Sequence, residues 1–209
     1  MALGRTHWRR FGVVMLLGAG ATAGLLALVA NGAVAASFTV SGQQFKVRAD
    51  ELSADGFVQY GTIDARVEPG SDSKTPEPVA VAAMRNATID HLCQSVVTDL
   101  GDFGSVTLKL TAGTGKRKVT AQNMIVDMSQ LDGDAEFTDI EIGRDASTLD
   151  KGPTNDPAEV AQRRPGFFSQ QAGHVVIRDL RQVAWATSAG QFNLYDLSLR
   201  LHWGSDECF

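Results

Sequence analysis

Proline is scarce in this 209-residue chain, and where it is lacking is as informative as where it stands. The six prolines fall in two segments, Pro69, Pro76 and Pro78 in one, Pro153, Pro157 and Pro165 in the other. A proline cannot donate to a β-ladder, so central strands exclude it. The segments 68–78 and 143–173 therefore read as loops, and the rest is open to sheet. Histidine is sparse too: His91, His174 and His202 show no metal-ligand spacing, and neither a metal nor a cofactor is expected. Basic charge is short as well. Without residues 1–35 the balance is 16 Lys and Arg against 24 Asp and Glu, a net charge of −8. Such a surface argues against nucleic acid and against electrostatic docking on anionic lipid heads.

What is present first is an address. Arg5, Arg9 and Arg10 precede an uncharged apolar run from Phe11 to Val29, and small residues close the segment at Ala33-Val34-Ala35-Ala36. That order is the layout of an export signal, with cleavage after Ala35. The run through Val34 is also long enough to cross a bilayer, so an uncleaved signal anchor is the rival reading. Either way residues 36–209 act outside the cytoplasm, as a secreted or membrane-anchored domain. The twin arginines alone are a weak Tat signal. The 174 remaining residues suffice for one domain with a real core.

Only two cysteines exist, Cys93 and Cys208, both in the exported part. In an oxidising compartment the simplest reading is one disulfide. It would close a loop of about 115 residues and contribute roughly 4 to 5 kcal/mol on the chain-entropy model.

The hydrophobic period is two. Val106, Leu108 and Leu110 alternate before Ala112-Gly113-Thr114-Gly115, and Val119 and Ala121 follow. His174–Thr187 and Gln191–Trp203 flank Ser188-Ala189-Gly190. Both read as hairpins, while Phe38-Thr39-Val40 and Val79-Ala80-Val81 begin further strands. Asp156–Ala161 reads as one short helix. One local pattern recurs: an apolar residue, any residue, an Asp, Asn, His or Glu, then Leu, Ile or Met. It occurs at Ala49–Leu52, Ile89–Leu92, Ala121–Met124, Phe137–Ile140, Ile177–Leu180 and Leu194–Leu197. The second apolar residue comes three positions on instead of two. A β-bulge supplies such an extra residue, bending the strand while restoring its inward face. The expected fold is all-β: curved antiparallel sheets with bulged strands, sandwich-like or an open groove, behind the N-terminal signal or anchor helix.

No motif declares a reaction. Ala186-Thr187-Ser188-Ala189-Gly190 resembles a nucleophile elbow, but a strand signal follows where a helix is needed. Ser188 is then a turn residue, with Asp196 and His202 on the following strand, poorly placed to reach it. Gly113-Thr114-Gly115-Lys116 lacks the rest of a phosphate loop. Asp132-Gly133-Asp134-Ala135-Glu136 has alternating oxygen ligands but reads as an acidic turn. Asn86-Ala87-Thr88 matches a glycosylation acceptor. Aromatics concentrate at Trp185, Phe192, Tyr195 and Trp203, with Phe167 and Phe168 in the long loop. They read as core and loop plug or, more sharply, as the lining of a groove for a lipid-like ligand.

Ser41–Val47, Gly56–Gly61, Leu92–Val96, Ala184–Thr187 and the Cys208-Phe209 ending resemble an uncharacterised family of actinobacterial exported proteins whose members are commonly labelled cholesterol esterase. The likeness spans the chain. It implies export and a shared fold, keeps a lipid connection in play and brings no catalytic residues with it. The leading expectation is a non-enzymatic cell-envelope protein that binds an apolar ligand, or an envelope or membrane partner. The alternatives are a secreted lipid-ester hydrolase, with Ser188 and His202 as the least unsuitable catalytic pair, and a purely structural surface protein.

Overall fold

The alternation breaks and recovers repeatedly along this chain, and those breaks shape the fold. In the computed structural model, which describes residues 39–40, 42–67, 74–153 and 165–209, nine strands follow one another. They are β1 (Thr39–Val40), β2 (Phe45–Val67), β3 (Lys74–Asp90), β4 (Leu92–Asp99), β5 (Ser105–Ala112), β6 (Val119–Asp145), β7 (Phe168–Ser188), β8 (Gln191–Asn193) and β9 (Ser198–Trp203). The apolar N-terminal stretch, with its export and anchor readings, and the helix expected at 156–161 lie outside the described residues.

The nine strands reduce to four long runs. β2 is the first, β3 with β4 the second, β5 with β6 the third, and β7, β8 and β9 the fourth. β4 pairs β5 where β3 pairs β6, and β9 pairs β5 where β7 and β8 pair β6. All these ladders are antiparallel. β2 pairs both β3 and β7, so β2, β3, β6 and β7 close on one another as a small barrel. β4 joins the start of β2 through Lys46–Arg48, and β4, β5 and β9 extend from the barrel as an open sheet. Stepping from Gln122 across Asn86, Asp55 and His174 returns to β6 at Thr138, not at Gln122. This large stagger is the shear that lets so few strands close.

The curved antiparallel architecture is as expected, but its connections are not. Residues 112–118 do not turn a hairpin, because β5 and β6 run on along β4 and β3. The segment around Ser188 is no hairpin either: Ser188 sits opposite Ile125 and Gln191 opposite Gln122, on one edge of β6. Local turn chemistry shows that the chain deviates there. It does not show whether the chain reverses. Parts of the expected loops 68–78 and 143–173 are strand: residues 74–78 lie in β3, 143–145 in β6 and 168–173 in β7. Pro76 and Pro78 lie in β3 opposite Ala65 and Ile63, where β3 has no ladder to β6, so their missing N–H groups cost nothing.

The recurring pattern marks the bends. Among the described residues the non-glycine ones with left-handed backbone are His91, Asn123, Asp139, Asp179 and Asp196, the third position in five of the six occurrences. Asn, Asp and His tolerate this region best among residues with a Cβ. At the sixth site, Ala49 faces Leu180 and Glu51 faces Arg178, so Asp50 is passed over opposite Asp179. The bends align across strands. One row crosses Asn123, Arg85, Gly56, Gly173 and Asp139, each skipped by its neighbours' pairing. Gly56 has φ +68°, and a Cβ there would overlap the Arg85 guanidinium and lie 2.5 Å from the Lys151 carbonyl oxygen. A second row passes through Asp179, Asp50 and His91, whose N–H donates to the Gly113 carbonyl at 3.2 Å, and ends beside Asp196.

Because each bend restores the inward face, one apolar set lines the barrel: Leu52, Phe57, Met84, Ile89, Met124, Met128, Ile177 and Leu180. A smaller cluster of Val58, Tyr60, Val79 and Val81 covers part of the outside. Over it lies a strap, residues 146–153, which contributes Ala146 and Leu149. Fully buried Gln171 holds the strap, accepting from Asp150 N at 2.9 Å and donating to Asp150 Oδ1 at 2.8 Å.

Candidate functional site

Strand alternation gives the β4–β5–β9 extension two unlike faces. One carries Val96, Leu108 and Leu201 in one cross-strand row, Val106 and Trp203 in the next, and Leu110 and Leu199 in a third. Val47 and Leu110 pack against the barrel core, so this face continues the interior outward into solvent. Leu199 is 58%, Leu201 72% and Trp203 80% exposed. Contiguous apolar surface of this kind marks a contact site more often than isolated exposed side chains do.

The opposite face is closed by the chain's own tail, residues 204–209. Cys208 is bonded to Cys93 as expected, with Cα atoms 5.8 Å apart. Thr107 donates to the Gly204 carbonyl at 2.6 Å and accepts from Asp206 N at 3.0 Å. Ser95 accepts from Cys208 N at 3.0 Å. Lys109 and Lys46 pair with Asp206 at 2.8 Å and Glu207 at 2.9 Å. Lys109 holds the Asp206 carboxyl below the usual range.

The barrel interior offers little room. Its void measures about 40 Å³ and is lined by Phe57, Met84, Met124, Met128 and Phe192 among others. A few waters need roughly 10–15 Å³ each, whereas ligand pockets span roughly 300–1,000 Å³. Gln182 also lines the void, its amide nitrogen buried with no acceptor among the described residues. An acyl chain or sterol would have to displace the methionines.

The sequence-derived candidates stand apart. Ser188 ends β7 opposite Ile125. Asp196 lies in a turn beside Gly115, and His202 lies on β9, with Nδ1 3.6 Å from Asp206. Among the described residues no hydrogen bond joins Ser188 to His202. The aromatics are equally dispersed. Trp185 packs in the outer cluster under Arg66, and Phe192 faces the void. Tyr195 lies under the Arg117 guanidinium at 4.3 Å, Trp203 ends the apolar face, and Phe168 starts β7 opposite Asp145 with Phe167 before it. Asp132, Asp134 and Glu136 form no turn. They lie on β6 opposite β7, with Arg178 3.6 Å from Glu136. Among the described residues no cluster of His, Cys, Asp or Glu fits a metal.

Folding makes two groupings that the sequence reading missed. On the outer barrel face, Ser53 Oγ lies 3.3 Å from His174 Nε2, and His174 Nδ1 lies 2.8 Å from Asp55 Oδ1. That is the connectivity of a Ser-His-Asp triad. It sits on an open sheet face, and the Asp55 side chain is 64% exposed. Water therefore weakens its support of an imidazolium. The signal was the Ser53-x-Asp55 spacing, but only the β2–β7 register supplies the histidine. The second grouping is a carboxyl pair, Asp64 and Asp127. Burial, with the Asp64 charge and hydrogen bond beside it, pushes Asp127 up to about 7. Burial raises Asp64 too, against the lowering effect of their mutual hydrogen bond.

Among the described residues no helix is long and apolar enough to cross a membrane, which leaves strand-borne spans unaddressed. The class this fold defines is a small staggered β-barrel with an open, tail-backed apolar extension. Residues 41–209 match the Family of unknown function (DUF6230), and the chain belongs to that family. No curated protein and no solved structure matches it.

Proposed function

We propose that this protein is an exported, non-enzymatic component of the cell envelope that binds an apolar, lipid-like ligand on the β4–β5–β9 face. The observation that carries this reading is the continuous row of exposed Leu199, Leu201 and Trp203 beside Leu108. Covering such a face removes apolar area from water at about 25 cal/mol per Å², before ordering costs. The shallow face suits a flat or extended apolar group better than the nearly filled barrel does. An acidic chain adds no electrostatic pull toward anionic surfaces, so selectivity rests on apolar contact. The N-terminal apolar segment and the oxidised cysteine pair both support action outside the cytoplasm.

Trp203 provides the test. Titrating the exported protein with neutral phosphatidylcholine vesicles is expected to shift its emission to shorter wavelength, and Leu201→Asp is expected to abolish the shift. No shift, together with no lipid in an organic extract of the native protein, would remove the reading.

A second reading is ester hydrolysis, and Ser53, His174 and Asp55 favour it over Ser188. It predicts turnover of short acyl esters that disappears in Ser53→Ala and His174→Gln while Ser188→Ala is unaffected. Such a result would displace the binding reading.

A further inference from the structure

Free sheet edges offer unpaired backbone groups, and proteins blunt them with proline or charge. Two of this protein's edges are blunted. The first residues of β3, paired only with β2, carry Pro76 and Pro78. Beyond Ser129, β6 pairs among the described residues only with β7 and carries Asp132, Asp134, Glu136, Asp139, Glu141 and Asp145. Among the described residues β9 pairs only with β5 and reads Ser-Leu-Arg-Leu-His-Trp, with no proline and a single formal charge, Arg200.

The ladder shows which way the β9 backbone faces. Gly204 N–H donates to the Ser105 carbonyl at 2.7 Å, one step beyond the Val106–Trp203 pair. Bonded and non-bonded pairs alternate in an antiparallel ladder. His202 and Arg200 therefore turn their backbone groups toward β5, while Leu199, Leu201 and Trp203 turn theirs outward. Hydrocarbon cannot satisfy such groups. The edge calls for another strand, whatever apolar ligand the face takes.

We propose that β9 pairs with β9 of a second copy of this chain, antiparallel about a two-fold axis at Leu201. An isologous contact requires a self-complementary strand, and this one is. Leu201 meets Leu201, and Leu199 meets Trp203 on the apolar side, pairs that stabilise a ladder. On the other side Arg200 of one copy stands opposite His202 of the other. Asp206, 3.6 Å from that imidazole and shared with Lys109 at 2.8 Å, supplies the opposite charge beside that row. The two apolar faces then join into one surface of twice the width.

Light scattering and sedimentation of the exported protein, without added lipid, test this. The wild type is expected to be a dimer. Leu201→Pro removes an outward N–H without touching the β5–β9 ladder, and it is expected to give a monomer with unchanged circular dichroism. Arg200→Glu leaves both the apolar face and the backbone intact. It is expected to weaken the dimer several-fold, and adding His202→Arg is expected to restore it. A monomeric wild type at its highest soluble concentration would overturn the proposal, as would a dimer indifferent to both Leu201→Pro and Arg200→Glu. Vesicle binding is read separately, so failure of the dimer and failure of the apolar-ligand reading remain distinct.

Discussion

The barrel and the extension are built from the same four runs of chain but are secured by opposite means. In the barrel each of β2, β3, β6 and β7 has a neighbour on both sides over part of its length, and methionine, leucine and phenylalanine fill the middle. The extension ends on the open strand β9. It keeps one apolar face in solvent and closes the other with a short tail, through a disulfide and polar contacts. A closed sheet can stabilise itself by burial. An open one needs a staple if its other face is to stay free.

Breaking the staple is the largest test of that difference. Cys208→Ser is expected to destabilise the protein by about 4 kcal/mol on the chain-entropy model. Hydrogen exchange is expected to accelerate first in β4, β5 and β9, while the barrel amides stay protected. Uniform acceleration would mean that the two parts do not differ as described. Gly56→Ala strikes the barrel instead, combining a left-handed backbone with contact against Arg85 and Lys151. A loss of about 1–3 kcal/mol is expected, measured by urea denaturation.

The carboxyl pair sharpens the contrast through pH. An acid whose folded pKa lies above its ordinary value holds its proton more tightly folded than unfolded. Its contribution is therefore complete below about pH 4 and declines as pH rises toward about 7. With Asp127 at about 7, the barrel is expected to be more stable at pH 5 than at pH 8. Asp127→Asn should raise the melting temperature at pH 8 by several degrees and change it little at pH 4. At Glu141 on β6, beside the strap, the sign reverses. Arg144, then Lys151 and Gln171, hold Glu141 down at about 2, so its contribution is lost as pH falls through that value. Asn123→Gly is the smallest change. It keeps the left-handed bend without a Cβ, and an effect within about 0.5 kcal/mol is expected, whereas Asn123→Val should cost about 1–3 kcal/mol.

Much of the fold is legible in the residues themselves. The positions of the bends followed from an apolar residue returning one place late, and Asp, Asn or His marked where the backbone could turn left-handed. The cysteine pairing followed from there being only two. Less could be read at Gly113–Gly115 and Ser188–Gly190. A residue pattern shows that a strand is interrupted, while reversal or continuation depends on the neighbouring strand. The candidate site was legible only in part. Trp203 was named, but its company was not Phe192, Tyr195 or Trp185. Ser53 and Asp55 passed unnoticed because their histidine is distant in sequence.

By itself, then, the sequence determined the alternation, the bends and the single crosslink, because these depend on local backbone preference and on counting. The register shifts of β6 against β7, at residues 127–130, 132–134 and 142–144, lie away from the recurring pattern. The tertiary structure decided which edges meet, which acids are buried side by side, and that Leu199, Leu201 and Trp203 face water. Periodicity assigns residues to a common face, but only the packing of the whole chain determines whether another layer covers it.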